Sequence, residues 1–339
     1  MTHPPLPEAE LQEAVAMVPD WSSLRGARVF ITGGTGFIGK WLLEVLGAAV
    51  RRDQLEVQAV VLSRHPERFL SAMPHLRNQP WLQFHQGDAI SFELPPGRFT
   101  HVLHGAASSD ARDYDRNPLA MQRTQVEGTR RVANLIAVKA VPRALLISSG
   151  AVYSAQPPEL LHLPEDHPLS GDSAPSYAQG KRESERLFIE ACMTGNTVGA
   201  IARCFAFGGP HLPLDQHYAF GNFIQDALQG RPIEVQGDGS PYRSYLYASE
   251  LAAWLWTLLL QGEATTYHVG SDQGLSIREL AQAVGEIASL PIQIQQAPDP
   301  GRPASRYVPA ILRIPASFGL RPSIPLKEAI VRTLRWHRG

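Results

Sequence analysis

From residue 28 onward the chain alternates short apolar runs with longer stretches whose apolar positions recur every three to four residues. The runs at 28–32, 57–62, 82–85, 101–104, 143–148 and 198–203 are bounded by polar or turn-forming residues, which predicts six strands. Helical periodicity marks 37–50, 117–139 and 176–194. Strands alternating with helices predict an α/β fold: a doubly wound parallel sheet, covered on both faces, with ligands at the carboxyl ends of its strands. After Arg203 the texture changes. Pro and Gly cluster at 208–213, 230–232, 237–241 and 298–303, and short helices are predicted at 220–229, 249–260, 276–288 and 325–336. This half reads as a smaller lobe closing over the active edge of the sheet. The expected division is an N-terminal extension over 1–26, a dinucleotide-binding domain over 27–204, and a substrate lobe over 205–339 from which some segments return to the sheet.

Composition narrows the picture by exclusion. The 339 residues are 44% hydrophobic with a formal net charge of -1, an ordinary globular balance without an electrostatic footprint for nucleic acid or an anionic membrane. Two cysteines are too few for a disulfide framework, so a reduced, cytoplasmic protein is expected. Residues 1–20 lack the basic segment and apolar run of a signal peptide, and the apolar run 251–260 is too short to cross a bilayer and reads as a buried helix. The Trp254-Leu-Trp256 stripe reads as core. His211 and His217 flank a loop without zinc-like spacing, so no metal is expected and a solvated loop is. A hydrolase elbow of the form G-x-S-x-G is absent.

The candidate chemistry begins at the first strand. Gly33, Gly34, Gly36 and Gly39 follow it directly and lead into a helix. Glycines in such a turn let the backbone approach a pyrophosphate, while the free N–H groups of the helix start attract its charge. The second strand ends in Ser63-Arg64, where a carboxylate would serve the ribose of NAD. Arg64, with Ser63 and Arg68, suits a 2′-phosphate instead, so NADP(H) is the expected preference, with NAD(H) as the alternative. Tyr177 and Lys181 lie four apart on a predicted helix and so share one face. An ammonium beside a phenol favours the phenolate and brings its proton transfer toward neutral pH. Ser148 and Ser149 end the fifth strand, where hydroxyls reach a ligand.

Taken in order, the glycine turn, Gly87-Asp88, the segment from His104 to Ala107, the segment from Ser148 to Tyr153 and Tyr177-x-x-x-Lys181 resemble the extended short-chain dehydrogenase/reductases, in particular the nucleotide-sugar epimerase/dehydratase group. The likeness covers about residues 27 to 335. It implies Ser149, Tyr177 and Lys181 as catalytic residues. It also implies a cofactor site formed by Gly33, Thr35, Gly36, Phe37, Ile38, Gly39, Ser63, Arg64, Asp88, Ala89, Ala106 and Ala107, together with Tyr177 and Lys181. Asn222, Arg243 and Arg302 would join Ser149 in holding a nucleotide-diphosphate sugar, the arginines through their fit to phosphate. A homodimer built on the helices 117–139 and 176–194 is implied as well.

The departures from that group carry information. Its 4,6-dehydratases have Asp and Glu directly after the catalytic hydroxyl residue, and its decarboxylases also carry an acid; here the positions are Gly150 and Ala151. Gln125 and Ala206 stand where the group usually has Asn. Without an acid for a leaving hydroxyl, dehydration is disfavoured. The expected activity is NADP(H)-dependent hydride transfer at C4 of a nucleotide-linked hexose, best read as 4-keto sugar reduction. The alternatives are 4-epimerisation, then 4,6-dehydration, then reduction of a non-sugar ketone. From another class comes a dinucleotide-sensing regulator without catalysis, which retention of Ser149, Tyr177 and Lys181 argues against.

Overall fold

The computed structural model describes every residue except 1–2, 107–115, 154, 170–174, 217, 300 and 302. Seven parallel strands form the main sheet: β1 (Arg28–Thr32), β2 (Gln58–Ser63), β3 (Leu82–Gln86), β4 (His101–His104), β5 (Arg143–Ser149), β6 (Val198–Cys204) and, beyond four short strands of the lobe, β11 (Thr266–Val269). Their spatial order is β11-β6-β5-β4-β1-β2-β3. Chain order reverses between β1 and β4, which pair with Val29 opposite His101, and a crevice opens there at the carboxyl edge.

Alternation along the strands explains why both faces are covered. Val29 and Ile31 of β1, Ala59 and Val61 of β2, and Ala200 and Ala202 of β6 share one core. Phe30, Val60, Leu62, Val102, Leu146 and Ile201 point the other way into a second core. The first is covered by three helices, Glu8–Met17, Phe37–Asp53 and Ala248–Gln261. The second is covered by Pro118–Lys139 and Ser176–Gly195, which pack along each other. The Ala248–Gln261 helix therefore lies beneath the sheet rather than in the lobe. Trp254 and Trp256 are core residues, as expected, and Trp256 Nε1 donates to the Leu42 carbonyl at 3.1 Å.

The lobe has its own core, built on Phe220, Phe223, Ile224, Leu280, Val284 and Ile330. Its short strands are β7 (Phe207–Gly208), β8 (Ile233–Val235), β9 (Tyr242–Arg243), β10 (Leu246–Tyr247), β12 (Leu275–Ser276), β13 (Ile292–Ile294) and β14 (Arg306–Tyr307). β9 pairs with β12 antiparallel and β14 parallel, with Tyr307 opposite Arg243. One lobe helix, Ile277–Ala288, begins with a complete capping box between Ser276 and Glu279. The N-terminal extension, for which no element was expected, is a helix docked on the main body. Its Glu10 carboxylate accepts a 2.6 Å hydrogen bond from Tyr247.

Candidate active site

The glycine turn has the form a dinucleotide requires. Gly33 has φ +75°, and a Cβ on it would stand 2.5 Å from the backbone of Gly105. A Cβ on Gly39 would stand 2.4 Å from the Gly33 carbonyl oxygen, so the helix Phe37–Asp53 can pack this close to the turn only without a side chain. At Gly36, the helix N-cap, the nearest atom would be 3.5 Å away. The turn is thus closed on its protein side and open above Gly36, where Thr35, Phe37 and Ile38 also lie, and the chain fits a pyrophosphate there. Across the crevice, Thr32 Oγ1 accepts from the N–H groups of Gly105 and Ala106, at 3.2 Å each, and bonds His104 Nδ1 at 2.6 Å. This fixes the backbone that leaves β4 against the turn. Burial lowers the His104 pKa to about 3, so the ring is a neutral structural bridge on to Thr129. Ala107 lies outside the described residues.

At the end of β2, Ser63, Arg64 and Arg68 line a cleft of about 830 Å³ together with Thr35 and Lys40. Lys40 was not singled out in the sequence. It sits one helical turn past Gly36, and burial lowers its pKa. Among the described residues Lys40 and Arg68 form no salt bridge, although the Glu44 charge one turn away acts on Lys40, and Arg64 is mostly exposed, with Asp88 4.0 Å away as its ion-pair partner. Asp88 also accepts from the Ile90 N–H, which shapes the turn that carries Ala89 after β3. Three cations, against Asp88 near Arg64 and the buried Glu44 near Lys40, leave the cleft net positive and attractive to an anion.

The catalytic candidates meet at the end of β5. Lys181 is buried in the helix Ser176–Gly195, and its Nζ donates to the Ile147 carbonyl at 3.0 Å. Burial brings the Lys181 pKa down to about 8. The Lys181 Nζ is 6.0 Å from the centre of the Tyr177 ring, one turn earlier. Ser149 is half-buried, and its Oγ accepts from the Ala151 N–H at 3.2 Å.

Ser148 departs from expectation. Its hydroxyl turns away from the crevice and donates to Glu185 at 2.6 Å. Glu185 also takes two bonds from Arg203, at 3.0 and 2.7 Å, and Arg203 donates to the Tyr153 hydroxyl, which bonds His268. Adjacent strand residues face opposite sides, so Ser148 and Ser149 could not both reach the ligand. The buried chain from Ser148 to His268 instead fastens β5, β6 and β11 to the helix Ser176–Gly195.

Two features were missed. The first is Phe205, whose ring atoms would lie 2.6 to 2.9 Å from any Cβ at Gly150. That ring is pinned between His268 and Tyr307, at centroid distances of 4.9 and 4.7 Å. The second is Tyr307, whose hydroxyl is 3.4 Å from Ser149 Oγ and 3.4 Å from the Cys204 carbonyl. Burial raises its pKa to about 12, so it is a neutral donor. Arg243, the partner of Tyr307 across β9 and β14, has its Cζ 6.0 Å from the Tyr307 ring centre, which sets the expected phosphate-binding arginine beside the residue that touches Ser149. Asn222 lies in the first turn of the lobe helix Ala219–Leu228, and Arg302 lies outside the described residues. His211 contradicts the expected solvated loop. It is buried, 3.4 Å from Glu44 on the helix Phe37–Asp53, while His217 lies outside the described residues.

A family model described as the NAD dependent epimerase/dehydratase family matches residues 29–270. UDP-glucuronic acid decarboxylase 1 of Arabidopsis thaliana is 26% identical over 320 residues, 93% of this chain and 71% of that protein. Among solved structures, a dTDP-glucose 4,6-dehydratase from Streptomyces venezuelae, with NAD bound, superposes with a TM-score of 0.78 at 23% identity, covering 92% of this chain and 97% of the other. A UDP-glucose 4-epimerase from Thermotoga maritima, with UDP-glucose bound, gives 0.78 at 17% identity, covering 92% and 98%. These two likenesses are of fold.

Proposed function

Since the chain belongs to the NAD dependent epimerase/dehydratase family, we propose that it is an NADP(H)-dependent oxidoreductase acting at C4 of a nucleotide-linked hexose, as a 4-keto sugar reductase. The dinucleotide, when bound, supplies the hydride. Tyr177 gives its proton to the C4 oxygen, and the Lys181 cation beside it favours the resulting phenolate. Ser149 hydrogen-bonds the same oxygen and orients it. Arg243 pairs with the diphosphate, and Asn222 and Arg302 complete the grip on the nucleotide. The solved relatives with bound UDP-glucose and the UDP-glucuronic acid decarboxylases among the similar proteins support a nucleoside-diphosphate sugar as substrate.

The observation that carries the choice of reaction is the Phe205 ring over Gly150. Elimination of a hydroxyl needs an acid beside the leaving group; Phe205 leaves no room for one at Gly150, and the next position is Ala151, which carries none. Hydride and proton transfer at C4 need only the groups present. NADP(H) is supported by the cationic cleft of Lys40, Arg64 and Arg68 at the end of β2. The same cleft favours reductase over 4-epimerase, because a reductase exchanges its cofactor at every turnover.

A homodimer is part of the proposal. Leu119 and Val138 on one helix, and Ile189 and Met193 on its neighbour, are exposed apolar residues on the paired helices Pro118–Lys139 and Ser176–Gly195. Cytoplasmic residence fits the two free, buried thiols Cys192 and Cys204.

The test is turnover with a UDP- or dTDP-linked 4-keto-6-deoxyhexose. Stoichiometric loss of NADPH supports reduction. Interconversion of 4-epimers without net NADPH loss supports the epimerase, and release of carbon dioxide from UDP-glucuronic acid overturns both.

A further inference from the structure

The cationic cleft has a wall that does not come from the sheet domain. His3 lines it beside Lys40, Thr35 and Arg68. The segment from His3 to Leu6 is held there by five separate contacts. The His3 N–H donates to the Ala72 carbonyl at 2.8 Å, closing the arm over the helix Pro66–Ala72 that carries Arg68. The Leu6 N–H donates to Glu44 at 3.0 Å, one turn along the helix from Lys40. Trp336 Nε1 reaches the Pro5 carbonyl at 3.3 Å. The His3 ring stacks on Trp336 with planes 13° apart and centroids 6.1 Å apart, and meets His211 edge-on at 5.2 Å. Glu44 is itself fixed. Burial would raise its pKa, but hydrogen bonds from His211, His75 and Leu6 prevail and hold it at about 2. The anchor for the arm is therefore a permanent carboxylate.

We infer that this N-terminal arm is a structural part of the cofactor site, and that His3 is a specificity-determining residue for the 2′-phosphate of the dinucleotide. The inference rests on the reading of the cleft as an NADP(H) site. A phosphate monoester carries between one and a half and two negative charges at neutral pH and three acceptor oxygens. Lys40, Arg64 and Arg68 supply charge from the sheet side, and His3 supplies an imidazole N–H from the opposite wall. In the free protein, burial and the Lys40 charge lower the His3 pKa, so the ring waits as a neutral donor. Without the phosphate, the arm has nothing to recognise in the adenosine ribose, so its contribution belongs to NADP(H) alone.

The experiment titrates the full-length protein with NADPH, NADH and adenosine 2′,5′-bisphosphate by calorimetry, for wild type, His3→Ala, His3→Arg and Lys40→Met, with the Tm of each variant recorded. His3→Ala is expected to weaken NADPH and the bisphosphate roughly tenfold, the scale of one hydrogen bond to a charged group, with NADH unchanged. His3→Arg is expected to restore both. If Lys40→Met weakens NADPH selectively while His3→Ala leaves the NADPH/NADH ratio at the wild-type value, the arm inference is overturned and the NADP(H) reading stands. Equal weakening of NADPH and NADH by His3→Ala likewise overturns it, since the arm would then only support the fold. A wild type that binds NADH as tightly as NADPH overturns the cofactor reading and this inference with it.

Discussion

Lys181 Nζ donates to the carbonyl of Ile147, two residues before Ser149, at 3.0 Å. That bond ties the helix carrying Tyr177 to the strand that ends in Ser149, and it holds the ammonium out of water. Lys181 is thus both a charge beside the phenol and a spacer between the two elements.

This dual role sets the pH profile. The Lys181 pKa is depressed to about 8, so the cation that favours the tyrosine phenolate is lost as pH rises through that value. The rate of 4-keto sugar reduction is expected to fall on an alkaline limb near it. Lys181→Met should lower kcat by roughly 100-fold or more and abolish that limb, and Tyr177→Phe should lower kcat further while NADPH still binds. A limb that persists in Lys181→Met, seen in the pH–rate profile, would assign it to another group.

Gly150 answers whether the dehydratase acids could be restored. Gly150→Asp puts a side chain into the Phe205 ring, which His268 and Tyr307 hold in place. The expected outcome is a stability loss of about 1–3 kcal/mol by overpacking, without any gain of dehydration. Chemical denaturation measures the first, and product analysis with dTDP-glucose the second. Pairing it with Phe205→Ala should cost less than the sum of the two single losses, because the clash is gone in the double variant.

Tyr307→Phe removes a hydroxyl that touches Ser149 and the Cys204 carbonyl while leaving the ring packed on Phe205. The Tm should stay close to wild type. The kcat/KM for the sugar nucleotide should drop about three- to tenfold, the scale of one net hydrogen bond, with NADPH affinity unchanged. An unaltered kcat/KM would mean that Ser149 keeps its orientation unaided.

His104 makes stability pH-dependent. Its folded pKa is about 3 against 6.5 unfolded, so below pH 6.5 the unfolded chain binds a proton that the folded chain refuses. Stability from this group is therefore complete above 6.5 and is lost as pH falls toward 3, at about 1.4 kcal/mol per pH unit. His268, also lowered to about 3 by burial, adds a similar slope. His104→Gln should flatten the acid side of the stability curve by about one such increment, measured by denaturant unfolding at several pH values. An unchanged slope would show that His104 titrates normally.

Local pattern made six of the seven sheet strands legible, while β11, which returns to the sheet from the lobe half of the chain, went unpredicted. The expected strands at 28–32 and 101–104 match β1 and β4 residue for residue, and the expected helices 117–139 and 176–194 end within a residue of those observed. Buried strands and long amphipathic helices declare themselves through periodicity alone. That Ser149 ends a strand and that Tyr177 and Lys181 share a helix was legible for the same reason, since each sits at a fixed place on such an element, whereas their roles belong to the proposed function. What local pattern could not supply were pairs joined across the chain. Tyr307 meets Ser149 across 158 positions, and His211 meets Glu44 across 167. No window around His211 distinguishes a solvated loop from a buried imidazole, and nothing near Glu8–Met17 reveals the two helices that cover it. The orientation of Ser148 is set by the two-residue period of a strand, which forbids both serines from facing one ligand.

The contact between the arm and Trp336 has a consequence for the order of folding. Trp336 meets the Pro5 carbonyl across 331 positions, so a long loop must close before the contact can form. The glycine turn and β2 need only local pairings, and until the helix Leu326–Arg338 docks the cleft beside them stays one-sided. The dinucleotide therefore meets a finished pocket only at the end of folding, and cannot act as a template for its early steps.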